Sequence, residues 1–278
     1  MYRLIASDMD ETFLDAEHRI PEVNIRAIRR AREHGVLFVP SSGRAYASIM
    51  HSIGAIDPAL MEGSFVISFN GGFINRYGDP EPFASCGLTS AVAARLYEDG
   101  LRRGLCVLLN MPDGTVHIVD APESERRYVR AYRGIELKDS ASHRTFESLR
   151  LPTAPVKVCY MSDDFEGLKR LGERLAPAFF ELGVEPTFSS GRYMELMPAG
   201  INKGAGLLRL AEILGIAPEQ TIAVGDSAND LAMIEAAGLG VGVANVTDDV
   251  RPFCDAVLRA SADDGAIAEV VERFILAS

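Results

Sequence analysis

Three short apolar runs in this chain stop on small polar or acidic residues. RLIAS (3–7) gives way to Asp8 and Asp10, VLFVPSS (36–42) to Gly43 and Arg44, and TIAVGD (221–226) ends on Asp226 itself. Continuous apolar runs of this length suit strands covered on both faces. SFVISF (64–69) is a fourth such run. Helical sequence lies between them. PEVNIRAIRRAREHG (21–35) has proline for a first turn, glycine to close, and Ile25, Ile28 and Ala31 on one face. A βαβ order with apolar strands predicts an α/β fold with a doubly wound parallel sheet. Such sheets bind ligands at the carboxyl ends of their strands, where these polar residues fall.

The end of the chain repeats the style. NKGAGLLRLAEILG (202–215), NDLAMIEAAG (229–238) and GAIAEVVERFIL (265–276) read as helices; LGVGVAN (239–245) and DAVLRA (255–260) read as strands. The middle differs. YGDPEP (77–82) is rich in turn residues and reads as a break. Beyond it come a helix (89–103), the strand-like LCVLL and TVHIV, a helix near 122–132, VKVCYM (156–161), a helix (164–181), and the strands VEPTFSS and RYMELM. Strand pairs beside helices predict an α+β module at 81–190, inserted into a core made of 1–80 and 191–278.

The chain has 278 residues and a formal net charge of −11, with 47% hydrophobic and 24% charged residues. That surplus of acid argues against nucleic acid or an anionic membrane as partner. It leaves room for a small anionic substrate, because a local cation reverses the field inside a site. The four cysteines form no CxxC pair and do not cluster with the five histidines, so neither a zinc site nor a disulfide framework is expected and a cytoplasmic location is. Arg3 and Asp8 interrupt any signal-peptide core, and no apolar run is long enough to span a bilayer. The sequence does not reveal oligomeric state.

Asp8 and Asp10, one residue apart, repel each other unless a divalent cation sits with them. Taken alone, such a pair also fits a solvated strand-to-loop turn. In AVGDSAND, Asp226 ends a strand and Asp230 follows four residues later, close enough for a helical turn to bring it back; Asn229 lies between. Helix capping explains one of these polar residues but not the acid that ends the strand. Ser42, Gly43 and Arg44 suit phosphate by hydroxyl, backbone N–H and guanidinium, although Ser-Gly is also a common turn. Lys203 opens a helix, where the macrodipole disfavours a cation. It is either a solvated surface lysine or the partner of a nearby anion.

Together DMDETFL, SSGR, NKG and GDSANDLAM resemble the four motifs of the haloacid dehalogenase superfamily, in order and spacing. SFNGG and RYMELMPAGINKG are similar to its Cof-type branch, which carries an α/β cap between the second and third motifs. The resemblance implies a Rossmann-like core with an inserted cap domain, and hydrolysis of small phosphorylated metabolites through an aspartyl-phosphate. It implies Asp8 as nucleophile and Asp10 as general acid and base. Mg2+ would be held by Asp8, the Asp10 carbonyl and Asp226, with Asn229 and Asp230 behind. Lys203 would neutralise charge, Ser42 and Gly43 would bind phosphate, and Arg44 and Asn70 would contact phosphate or leaving group. Arg192, Tyr193 and Glu195 either face substrate or belong to an ordinary strand. Glu11 stands where the family usually has glycine, and Ser42 where it has threonine. A phosphomutase on the same core, and a module that binds phosphorylated metabolites without turnover, are the rival readings.

Overall fold

The computed structural model describes residues 1–277, which divide into two compact units: 1–85 with 201–277, and Cys86–Gly200. The first unit opens with β1 (Leu4–Ser7), α1 (Glu22–Glu33), β2 (Leu37–Pro40), α2 (Tyr46–Ser52), α3 (Pro58–Met61), β3 (Phe65–Ser68), β4 (Phe73–Arg76) and β5 (Pro82–Ser85). The second comprises α4 (Ser90–Arg102), β6 (Cys106–Asn110), β7 (Val116–Val119), α5 (Glu123–Tyr128), β8 (Ile135–Lys138), β9 (Lys157–Met161), α6 (Phe165–Glu181), β10 (Val184–Ser189) and β11 (Tyr193–Pro198). The first resumes with α7 (Lys203–Leu214), β12 (Thr221–Gly225), α8 (Leu231–Ala236), β13 (Leu239–Gly242), β14 (Ala256–Val257) and α9 (Ala266–Val271).

The first unit is built on a parallel sheet in the order β14-β13-β12-β1-β2. Alternate strand residues feed two cores. Ile5, Phe38, Ile222 and Val241 pack with α1 and α9 through Ile28, Ala31, Ile267 and Val270. Leu4, Ala6, Val39 and Ala223 pack on the other face with Leu207, Leu210 and Met233 of α7 and α8. Both faces are therefore covered, which is why the strands read as unbroken apolar runs.

Four features depart from the sequence reading. The buried stripe of α1 includes Ile28 and Ala31 but runs through Asn24 and Ala27, leaving Ile25 only partly covered. Asn24 is buried because its side chain accepts from Ala268 N (3.1 Å) and donates to Phe13 O (3.4 Å), tying α1 to α9 and to the loop after β1. The run 64–69 meets the parallel sheet only through a parallel bridge between Ser41 and Ile67, with Ser42 N donating to Ile67 O at 2.9 Å; β3 otherwise forms an antiparallel sheet with β4 and β5. YGDPEP is consequently the loop of the β4–β5 hairpin and not a boundary between units. The expected strand 255–260 pairs only at Ala256 and Val257.

The second unit has a six-stranded sheet in the order β10-β11-β9-β6-β7-β8, antiparallel except for β7 with β8. α4 and α6 cover one face, through Leu96, Tyr97, Leu168 and Phe179 against Val107, Val158, Tyr160 and Leu196. β11 belongs to this sheet and β5 to the first unit, so the crossings lie at 85/86 and 200/201, not at 80/81 and 190/191. All four cysteines are free. Among the described residues, no helix is long and apolar enough to cross a membrane.

Candidate active site

Parallel pairing brings three polar strand ends of the first unit together. Asp8 N donates to Val224 O (2.9 Å) and Ser41 N to Ser7 O (2.8 Å), which continue the ladders one step beyond the strands. Continued one step, the register sets Asp8 between Gly225 on one side and Ser41 on the other, with Ser42 the next residue along. Asp8, Asp226 and Asp230 are buried, and each offers a carboxylate oxygen within 4.8 Å of the others.

Lys203 organises this cluster. It is 0% exposed, and its Nζ donates to Asp8 Oδ1 at 2.5 Å and to Asp230 Oδ1 at 2.7 Å. Asn202 caps α7 by accepting from Ala205 N at 2.9 Å, which fixes the turn from which the lysine projects. Asp230 has its second oxygen engaged as well: Oδ2 accepts from Asp226 N (3.0 Å) and Ser227 N (3.2 Å). A Cβ on Gly225 would fall on the Asp230 side chain, so only glycine lets the strand end fold back onto this carboxylate. Thr12 Oγ1 donates to Asp226 Oδ1 at 2.9 Å. Among the described residues no hydrogen bond reaches Asp8 Oδ2 or Asp226 Oδ2.

Three buried carboxylates share one ammonium. Burial, then the charge of Asp230, pushes the Asp8 carboxyl well above the ordinary carboxylate range, with Lys203 offsetting part of the effect. Burial and Asp230 push Asp226 up to about 6. Burial alone would lower the Lys203 ammonium, but Asp230 and Asp8 outweigh it and hold it above its usual value. The residual negative charge and the two uncommitted oxygens fit a hard divalent cation, which takes oxygen ligands. Asp8 and Asp226 have the free oxygens; Asp230 is committed to Lys203 and to backbone.

The other expected residues divide. Ser42 is buried, and its Oγ accepts from Arg44 N at 3.2 Å. Asn70 N donates to Ser42 O at 2.9 Å, and a Cβ on Gly43 would sit 3.1 Å from Asn70 Oδ1. Asn70 Oδ1 is buried without a partner among the described residues. Phe69 and Asn70 both have left-handed φ, +50° and +52°, a strained pair that turns the Asn70 side chain onto Gly43. Asp10 and Arg44 are joined to each other by a hydrogen-bonded ion pair, and His18 Nδ1 lies 3.3 Å from the same Asp10 oxygen. Asn229 is exposed and accepts from Ser227 Oγ at 3.0 Å. Arg192 and Tyr193 donate to Glu125 at 2.7 and 2.6 Å, and Glu195 pairs with Lys157 at 2.5 Å, all inside the second unit.

Sequence reasoning did not single out Thr12 or His18. Thr12, between Glu11 and Phe13 in the loop after the first acids, carries no signal of its own. His18 carries none. Glu11 has φ of +57°, the conformation glycine tolerates best, and Asn245 Nδ2 donates to its carbonyl at 2.9 Å.

Buried carboxylates around one lysine, at the ends of parallel strands, make this the candidate active site of an α/β protein. The chain belongs to the haloacid dehalogenase-like hydrolase family, whose pattern it matches over residues 5–271. It is 27% identical to the phosphatase YwpJ of Bacillus subtilis, over 98% of this chain and 100% of that protein. It is 28% identical to the 5-amino-6-(5-phospho-D-ribitylamino)uracil phosphatase YcsE of the same organism, over 99% and 96%. A haloacid dehalogenase-like hydrolase from Bacteroides thetaiotaomicron shares the fold at TM-score 0.82 and 27% identity, over 99% of this chain and 100% of that one.

Proposed function

We propose that this chain is a Mg2+-dependent phosphatase that hydrolyses monoesters of small phosphorylated metabolites through an aspartyl-phosphate on Asp8. The observation that carries the reading is the state of Asp8: buried, oriented through one oxygen by Lys203, and with the other oxygen uncommitted. An Asp8 oxygen bonds to phosphorus as the bond to the leaving oxygen breaks, and Asp10 protonates that oxygen. Water then attacks phosphorus, Asp10 takes its proton, and the bond to Asp8 breaks to release phosphate. Lys203 neutralises charge on Asp8 and on the phosphoryl oxygens throughout. Ser42 Oγ and Gly43 N–H bind phosphate oxygens, with the Asn70 amide beside them. Asp8, the Asp10 carbonyl and Asp226 would hold the cation, which screens the repulsion between carboxylate and phosphate when bound. Asp230 supports this set by holding Lys203 and the backbone at Asp226.

The relatives named as phosphatases support this reading over a binding module without turnover. Acid quenching of the Mg2+-loaded protein with a 32P-labelled ester tests it. Label should be recovered on the protein, vanish with Asp8→Asn, and fail to form in chelator. Phosphate release at the wild-type rate from Asp8→Asn would end the proposal.

A further inference from the structure

We infer that Arg44 is a positioning residue for Asp10 and not a contact to phosphate, an inference that rests on the acid–base role proposed for Asp10. The Arg44 guanidinium is committed at both ends. Nη2 donates to Asp10 Oδ1, while Nη1 donates to Ser52 Oγ at 3.0 Å, in the last turn of α2. Ser52 Oγ in turn donates to Ser48 O at 3.2 Å. The backbone of Arg44 is pinned too, its N–H on Ser42 Oγ (3.2 Å) and its carbonyl accepting from Phe69 N (3.0 Å). A planar guanidinium held at two corners makes a rigid strut from α2 to the Asp10 carboxylate. Asp10 needs one. Its side chain is 40% exposed, and among the described residues the other ring or charged group paired with it is the His18 imidazole at 3.3 Å, itself 68% exposed. Asp8, by contrast, is fixed from inside by Lys203.

A phosphate contact and a strut for the acid predict different losses. Correct placement of a proton donor matters most when the leaving oxygen is a poor leaving group, whereas phosphate binding is shared by every ester. Arg44→Ala should therefore lower kcat for glycerol phosphate about 10- to 100-fold, the range expected for a catalytic group displaced by about 1 Å. It should lower kcat for nitrophenyl phosphate only about threefold or less. In the Asp10→Asn background, Arg44→Ala should change the glycerol phosphate rate by less than about twofold, as two residues acting through one step require. Arg44→Lys keeps one charge but cannot span both partners, and Ser52→Ala releases only the far end. Both should show the same leaving-group pattern, more weakly. Inhibition by inorganic phosphate should be unaltered in all three. Equal losses on both esters, persisting with Asp10→Asn and accompanied by weaker inhibition by inorganic phosphate, would return Arg44 to the phosphate. If Asp10→Asn alone left glycerol phosphate hydrolysis intact, the acid–base role itself would fall, and this inference with it.

Discussion

Asp226 carries the clearest consequence at the scale of single residues. Its carboxyl is pushed up to about 6 by burial and by Asp230, against 3.8 ordinarily. Between those values the folded protein keeps a proton that the unfolded chain has released. The contribution of this group to stability is therefore full below about pH 4 and is lost as pH rises through about 6. A shift of that size is worth about 2–3 kcal/mol. Asp226→Asn removes the titration but keeps an acceptor for Thr12. In chelator, the variant should gain stability relative to wild type by up to about 2–3 kcal/mol between pH 4 and pH 7, read from denaturant midpoints. A difference that stays flat across that window would mean Asp226 titrates normally. The acids drew attention in the sequence because they end apolar strands, and Lys203 because it opens a helix where the macrodipole disfavours a cation. The sequence left open whether Lys203 lies on the surface. Its complete burial follows from two carboxylate partners, Asp8 and Asp230, which lie 195 and 27 residues away along the chain. Thr12 and His18 escaped for a related reason. Each acquires meaning only from a neighbour supplied by the fold, Asp226 for one and the Asp10–Arg44 pair for the other.

The element that matters most to the site is the junction of α7 and α8, and glycine decides how close they come. A Cβ on Gly204 would strike the Ala232 carbonyl oxygen and lie 2.6 Å from its carbon. Lys203 and Asp230 stand on the same two segments, so separating them pulls on the Nζ–Oδ1 contact. Gly204→Ala should destabilise the protein by about 1–3 kcal/mol, the usual penalty for overpacking. It should also reduce kcat more than it changes KM, because in the proposed mechanism the displaced lysine acts on the reacting groups. Unchanged stability and kcat would mean that the two helices have slack. Much of the element order was readable, because long helices and doubly covered strands print strong patterns. β4, β5 and β8 were not. β5 begins with proline, β8 alternates and is largely exposed, and the β4–β5 loop holds the residues that otherwise mark a domain boundary. The register of α1 was misread because Asn24, a polar residue, is the buried one. The final helix is regular only to Val271 and continues to Leu276 as a wider π turn.

At the scale of the whole molecule, the residues proposed for chemistry and for holding the cation, from Asp8 to Asn70 and from Lys203 to Asp230, all belong to the first unit, 1–85 with 201–277. The second unit, Cys86–Gly200, has its own sheet, its own helices and its own core, and the chain crosses into and out of it once each. Two crossings with a self-contained core are what an inserted domain requires. We propose a division of labour in which the first unit carries the reaction and the second influences which substrates are used. Replacing Cys86–Gly200 with a short flexible linker should leave slow hydrolysis of nitrophenyl phosphate, dependent on Asp8 and lost in chelator. On that proposal, discrimination among sugar and nucleotide phosphates should collapse toward a common kcat/KM. Retention of a cooperative unfolding transition identifies preparations in which the first unit has folded, and the comparison is made in those. A ranking of substrates that survived the replacement intact would place selectivity in the first unit, with the loop at Ser42–Gly43 and the strained turn at Phe69–Asn70 as the first segments to mutate.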